Sequence, residues 1–243
     1  MAGAAPPEAG PPFGVLLLDN HLLAVDKPPG LLVQGDKTGD ADLVSLAKAY
    51  LKKRFDKPGA VFVGLVHRLD RPTSGVVVLA RTSKAAGRLS EQFRRRTVEK
   101  RYLAVVEGHL DGAGEQTDGL VKEGGGVRVV PAGAPGAQRA ALGWRAVAAS
   151  GAGTSARTLV EVELLTGRKH QIRAQLAALG APVLGDFRYG SATPFADGRG
   201  IALHAWRLAV EHPTRREPVA VSAPPPDAWR GLFDDAVAGV VAS

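Results

Sequence analysis

Short apolar runs punctuated by turn residues dominate the chain, and helical spacing surfaces in only a few places. Residues 15–18 and 22–26 are apolar stretches around Asp19-Asn20-His21, which predicts a hairpin, and Pro28-Pro29-Gly30 then ends the pattern. Between 42 and 55, Leu43, Leu46, Ala47, Tyr50 and Leu51 recur at helical intervals, with Lys and Arg gathered late, where cations suit the helix dipole. Residues 61–66 and 75–80 are β-branched runs, read as two buried strands on either side of the polar stretch 67–74. A basic helix is expected from Ser83, its N-cap, to about Arg96, with Arg88, Arg94, Arg95 and Arg96 supplying positive charge. A strand over 101–107 follows.

The stretch 111–141 is rich in Gly and Ala and predicts short strands at 119–122 and 127–130 joined by loose loops. Strands resume over 141–148 and 157–165, where Val160, Val162 and Leu164 alternate with Glu161 and Glu163. Residues from 169 or 170 to 179 read as an amphipathic helix with Ile172, Leu176 and Leu179 inward and Gly180 as C-cap. A strand pair over 203–210 and 217–221 and a last helix over 227–238 complete the pattern. Strands outnumber helices and many pair locally. The expected class is therefore α+β, a mixed, largely antiparallel sheet flanked by helices. Residues 1–12 hold Ala, Gly and Pro with one Glu and are expected to be a disordered leader, with one folded domain over 13–240.

Composition narrows the partners only a little. A net charge of +7 permits a polyanion without requiring one. The absence of cysteine excludes disulfide scaffolds, thiolate zinc sites and cysteine nucleophiles. The first dozen residues lack a signal peptide's basic and apolar regions, and no apolar run reaches the roughly 20 residues that cross a bilayer, so a soluble, cytoplasmic protein is expected. A monomer is the simpler expectation, because no exposed apolar stripe stands out. No residue suggests a cofactor.

Two polar segments could carry chemistry. His67-Arg68-Leu69-Asp70-Arg71-Pro72-Thr73-Ser74-Gly75 interrupts two apolar runs, and loops at strand ends are where a rigid scaffold tends to place reactive groups. The same residues would also suit a plain tight turn in which Asp70 caps Thr73 or Ser74 and Arg68 pairs with a surface carboxylate. Thr166-Gly167-Arg168-Lys169-His170-Gln171-Ile172-Arg173 stands where a strand gives way to a helix, so backbone N–H groups together with Arg168 and Lys169 could attract a phosphate. A solvated helix start would look the same. Arg173 follows the core position Ile172 and can reach inward to hold a carboxylate, or keep its head in water. A strand tyrosine such as Tyr102 is as much a packing residue as a chemical one. His67, His170, His204 and Asp186 could suggest a hydrolase or metal enzyme, but no HExxH pairing or Walker loop accompanies them, and no metal is expected.

Taken in order, the segments resemble the RluA-type family of RNA pseudouridine synthases. The resemblance runs from Val25-Asp26-Lys27-Pro28-Pro29-Gly30 through His67-Arg68-Leu69-Asp70 with Thr73-Ser74-Gly75, and Lys100-Arg101-Tyr102, to Thr166–Arg173. It ends with Leu184-Gly185-Asp186, Tyr189-Gly190 and Leu203-His204-Ala205, so it covers about residues 13–222. It implies the pseudouridine synthase catalytic fold and an enzyme that isomerises uridine in rRNA or tRNA. Asp70 would be the catalytic carboxylate, Arg173 its partner, and Tyr102 the ring that stacks on the target base and assists proton removal. Arg68 would fill the stack left by the flipped nucleotide, Leu203 would line the pocket with His67 beside it, and Arg168 and Lys169 would bind RNA phosphates. Many relatives carry an RNA-binding domain before the catalytic one, and here only a dozen low-complexity residues stand in that place. A noncatalytic RNA-binding protein of the same fold would keep the basic surface and lose the acid.

Overall fold

The computed structural model describes residues 10–242. Most of the stretch expected to be a leader therefore lies outside the described residues. The predicted hairpin forms from β1 (Gly14–Leu18) and β2 (Leu22–Lys27), its turn closed by Asp19 Oδ1, which accepts the N–H groups of His21 and Leu22. Helix α1 (Leu43–Arg54) begins where expected, with Asp42 as N-cap accepting the Ser45 N–H at 3.1 Å, and it buries Leu43, Ala47 and Leu51.

Four expectations need correction, the last of them at the C-terminal helix. The β-branched run 61–66 pairs only over β3 (Gly64–Leu65), against the fully buried β4 (Ser74–Ala80), and Phe62 is exposed. The polar segment thus leads from a short edge piece into a core strand. Helix α2 (Ser83–Arg95) is capped by Thr82, whose Oγ1 accepts the Ala85 N–H, and not by Ser83. The glycine-rich region is not loose: β6 (Ala113–Glu123) and β7 (Gly126–Val130) make a hairpin around Gly124 and Gly125, both at positive φ.

Beyond β5 (Glu99–Glu107), β8 (Gln138–Ser150) and β9 (Arg157–Leu164) extend the sheet, α3 (Gln171–Ala178) follows, and β10 (Leu203–Glu211) pairs with β11 (Pro218–Ser222). The last helix is broken: a single turn over Asp227–Trp229 is separated from α4 (Asp234–Val241) by Gly231 and Phe233, both at positive φ.

One sheet runs in the order β1-β2-β4-β10-β5-β9-β8-β6-β7, and every pairing is antiparallel except β10 with β4. The α+β class is the one expected. Strand β10 forks, lying beside β4 at His204 and Ala205 and beside β11 from Arg207 onward. At the fork Gly75 has φ +115°, and a Cβ there would stand 2.3 Å from the Ala205 carbonyl oxygen, so only glycine lets the two backbones meet. His204, fully buried, bridges Ser74 Oγ at 2.9 Å and the Ala223 carbonyl at 3.0 Å, and burial lowers its pKa to about 4, which keeps it neutral. Along β5 the alternation sends Tyr102 and Ala104 to the face covered by α1 and α3, and Leu103 and Val105 to the face packed with Trp206, Trp229 and α4.

Candidate active site

The first face opens at one end into a cleft of about 490 Å³, a size suited to a small ligand or a single nucleotide. Asp70 lies in it, at the end of the segment that the Gly75 junction presses against the centre of the sheet. The Asp70 backbone carbonyl accepts the Thr73 N–H at 3.1 Å, so a turn is present, but the Asp70 side chain takes no part in it. Its Oδ2 accepts from Arg173 Nη1 at 3.0 Å instead.

Arg173 is 5% exposed, and it reaches inward from α3. Its other donors go to Asp186, Nε to Oδ2 at 2.6 Å and Nη2 to Oδ1 at 2.9 Å, a bidentate pair with a carboxylate 2% exposed. Burial opposes the charge on Arg173, but the Asp186 bonds and both carboxylates outweigh it and raise its pKa. The guanidinium is therefore a permanent cation shared by two carboxylates. Sequence reasoning gives Asp186 no part in this arrangement. It follows Gly185, whose φ of +85° and missing Cβ allow the chain to pass Phe195.

Lys27 is a second residue that sequence reasoning leaves without a role. It ends a strand that is apolar up to Asp26, and its side chain is completely enclosed. Its Nζ donates to the carbonyls of Pro28 and Leu31 at 2.9 Å and of Arg71 at 3.2 Å, so it holds the residue after Asp70. Burial lowers its pKa to about 7, with the charges of Asp70 and Asp26 acting in the opposite direction. The signal was a lysine inside a buried run.

Tyr102 and Leu203 line the cleft from adjacent strands, 8% and 4% exposed. Burial, with the charge of Asp70 behind it, pushes the Tyr102 phenol well above its ordinary range, so it remains protonated at neutral pH. His67 stacks on Phe93 of α2 at 4.7 Å, and its Nε2 accepts the Val78 N–H at 2.9 Å. Burial, followed by the nearby charge of Lys100, lowers its pKa to about 3. The ring is therefore neutral at neutral pH, and its bond to β4 ties the loop to the sheet.

Arg68 stands exposed on the cleft wall with Arg94, Arg96, Lys100, Arg168 and Lys169. Arg168 Nε donates to the Arg139 carbonyl at 3.1 Å, and Lys169 Nζ to the Gly125 carbonyl at 2.5 Å. The start of α3 is partly satisfied within the chain, since Gln171 Oε1 accepts the Arg168 N–H at 3.0 Å. Two nearby basic residues are engaged elsewhere: Arg88 donates to the Pro213 carbonyl, and Arg101 pairs with Glu99 and Glu161. No cluster of His, Asp or Glu among the described residues could hold a metal, and no described helix is long and apolar enough to cross a membrane.

A family description, RNA pseudouridylate synthase, matches residues 21–178. The ribosomal large subunit pseudouridine synthase D of Xanthomonas campestris is 38% identical over 235 residues, which cover 91% of this chain and 69% of the relative. The tRNA pseudouridine synthase C of Haemophilus ducreyi is 32% identical over 233 residues, 90% of this chain and 94% of the relative. The chain spans about two thirds of the length of the first curated relatives it matches. Among solved structures, that of human RNA Pseudouridylate Synthase Domain Containing 4 superposes with a TM-score of 0.75 at 25% identity over 92% of each chain.

Proposed function

The chain belongs to the RNA pseudouridylate synthase family, RluA-type, and from that premise we propose that Asp70 carries the isomerisation of a uridine in ribosomal or transfer RNA. The observation that carries this reading is the 3.0 Å pair between Asp70 and the buried Arg173, at the bottom of a cleft walled by Tyr102, Leu203 and a rim of cations. The reaction breaks the C1′–N1 bond, turns the uracil and joins C1′ to C5. The C5 proton leaves to a base or to water, N1 gains one, and no atoms are lost overall. A carboxylate fixed by Arg173 serves either as nucleophile at C1′ or as base at the 2′ position. Tyr102 offers its ring face to the base and, as a neutral phenol, a proton to share rather than an anion.

A uridine must leave its stack to reach Asp70, at a cost of a few kcal/mol. Arg68 is suited to fill the gap: it is exposed beside Asp70 and has no hydrogen-bond or ion-pair partner among the described residues. Arg168, Lys169, Arg94, Arg96 and Lys100 bind backbone phosphates. Catalysis by the described domain in the cytoplasm, as a monomer, completes the reading.

The test is Asp70→Asn. Purified protein is incubated with total tRNA and rRNA from a strain lacking the gene, and pseudouridines are mapped by carbodiimide modification. The variant should bind RNA and form no pseudouridine, and full activity would overturn the role of Asp70. The same mapping on wild-type and knockout RNA names the site.

A further inference from the structure

His170 stands between Asp70 and the β6–β7 hairpin, and the contacts around it point to the nitrogen that carries the proton. Its Nδ1 is 2.8 Å from the Tyr189 hydroxyl, and its Nε2 is 3.9 Å from Asp70 Oδ2. The Tyr189 oxygen also accepts the Val127 N–H at 3.1 Å. A phenol that accepts one bond still has its own hydrogen to give, and His170 Nδ1 is the acceptor within reach. Burial lowers the His170 pKa; Asp70 opposes this, while Arg173, Lys169 and Arg188 reinforce it. The neutral ring that accepts at Nδ1 must keep its proton on Nε2, facing Asp70.

Backbone geometry supports a role for the side chain. His170 has φ 50° and ψ 23°, the left-handed region, where glycine or asparagine would make the turn at lower cost. Tyr189 is itself held from several sides. The Arg173 guanidinium lies 5.1 Å over its ring, and a Cβ on Gly126 would come within 2.9 Å of its hydroxyl. Lys169 and Arg188 bind the carbonyls of Gly125 and Gly124, which seats the hairpin tip at the same place.

We infer that His170 is a positioning residue for the reaction: Tyr189, anchored by the β6–β7 hairpin, fixes its tautomer, and its Nε2–H closes on Asp70 when RNA fills the cleft and sets the direction of the carboxylate. This role rests on Asp70 being the catalytic carboxylate. The separation is 3.9 Å, and catalytic hydrogen bonds of this length tighten once substrate is bound. Arg173 Nη1 and His170 Nε2 face the same oxygen, Oδ2, from two directions, so together they fix where that oxygen sits and turn Oδ1 toward the substrate.

Three variants separate this from a merely structural histidine. His170→Asn tolerates the left-handed turn and places an acceptor near the Nδ1 position, but has no donor toward Asp70. His170→Gln extends an amide N–H to about the Nε2 position. Tyr189→Phe keeps the packing and removes the hydroxyl that fixes the tautomer. Each is assayed with enzyme in excess over total RNA from a strain lacking the gene, labelled with uridine tritiated at C5, since C1′–C5 bond formation releases that tritium to water.

His170→Asn should lower the maximal rate about 10–100-fold, the scale of a reacting group misplaced by an ångström, with the half-saturating enzyme concentration unchanged. His170→Gln should recover much of the rate, and Tyr189→Phe should fall between. A wild-type rate in His170→Asn overturns the inference, as does equal loss in Asn and Gln, or an effect on half-saturation alone. If His170→Asn does not fold, Tyr189→Phe decides, and a wild-type rate there overturns it. Asp70→Asn is the control: when it is inactive, these outcomes judge His170 alone, and when it is active, the reading of Asp70 has failed first.

Discussion

Replacing Arg173 with methionine removes the cation from between two carboxylates without emptying the space its stem fills. Wild-type Arg173 makes three charged hydrogen bonds of 2.6, 2.9 and 3.0 Å to Asp186 and Asp70, and it is 5% exposed while Asp186 is 2% exposed. Removing one partner of a buried pair costs about 3–5 kcal/mol, because the charge left behind is uncompensated. For a domain of this size that is a fall in Tm of about 6–20 °C.

Urea denaturation of wild type and variant near pH 8 measures the loss directly. Arg173→Lys, which keeps the charge but loses the fork, should lose less. A cost below about 1 kcal/mol, or an equal cost in Arg173→Lys, would refute the reasoning.

Three further outcomes are expected. Burial raises the Asp26 pKa to about 6 against the pull of Lys27, so its charge costs stability above that pH and is relieved below it. Asp26→Asn should stabilise by about 1–2 kcal/mol near pH 8, after allowance for solvent screening, and in a urea denaturation series the gain should shrink as pH falls below about 6 and be lost only below about pH 4, where the unfolded chain is protonated too. Burial, with Arg96 adding to it, lowers the Lys100 pKa to about 8, so the cleft loses a cation as pH rises through that value. RNA affinity in filter binding should fall across this range, and Lys100→Arg should flatten the fall. Arg168→Ala combined with Lys169→Ala should weaken binding and reduce the slope of log affinity against log salt by about 0.7 for each phosphate that is no longer neutralised, and an unchanged slope would place both side chains outside the interface.

The sequence is most readable where one physical cause acts alone. Helix α1 follows from the spacing of Leu43, Ala47 and Leu51, and the β1–β2 hairpin from Asp19 between two apolar runs. The run 61–66 misleads because β-branched residues suit an extended chain whether or not a neighbour is there to pair, and only Gly64 and Leu65 find one. The hairpin 113–130 looks loose in the sequence because its order comes from pairing with β8 and from Tyr189, residues distant in the chain. Asp70 and Arg173 can be singled out through the ordered resemblance, whereas local chemistry equally allows a turn and a solvated arginine. The pairing of Asp186 with Arg173 escapes notice because the two are 13 residues apart and the position of Asp186 depends on the turn at Gly185.

The place of β10 in the sheet also sets when activity can begin. Without it, the pairings leave two separate pieces, β1-β2-β4 with β3 and β5-β9-β8-β6-β7. Asp70 belongs to the first piece, while Tyr102, Arg173 and Asp186 belong to the second or to the chain that follows it. The strand that joins them is the last but one to be synthesised. A chain emerging residue by residue from the ribosome can therefore fold much of each piece early, while the site proposed around Asp70 is assembled only when residues 203–211 have come free and closed the gap.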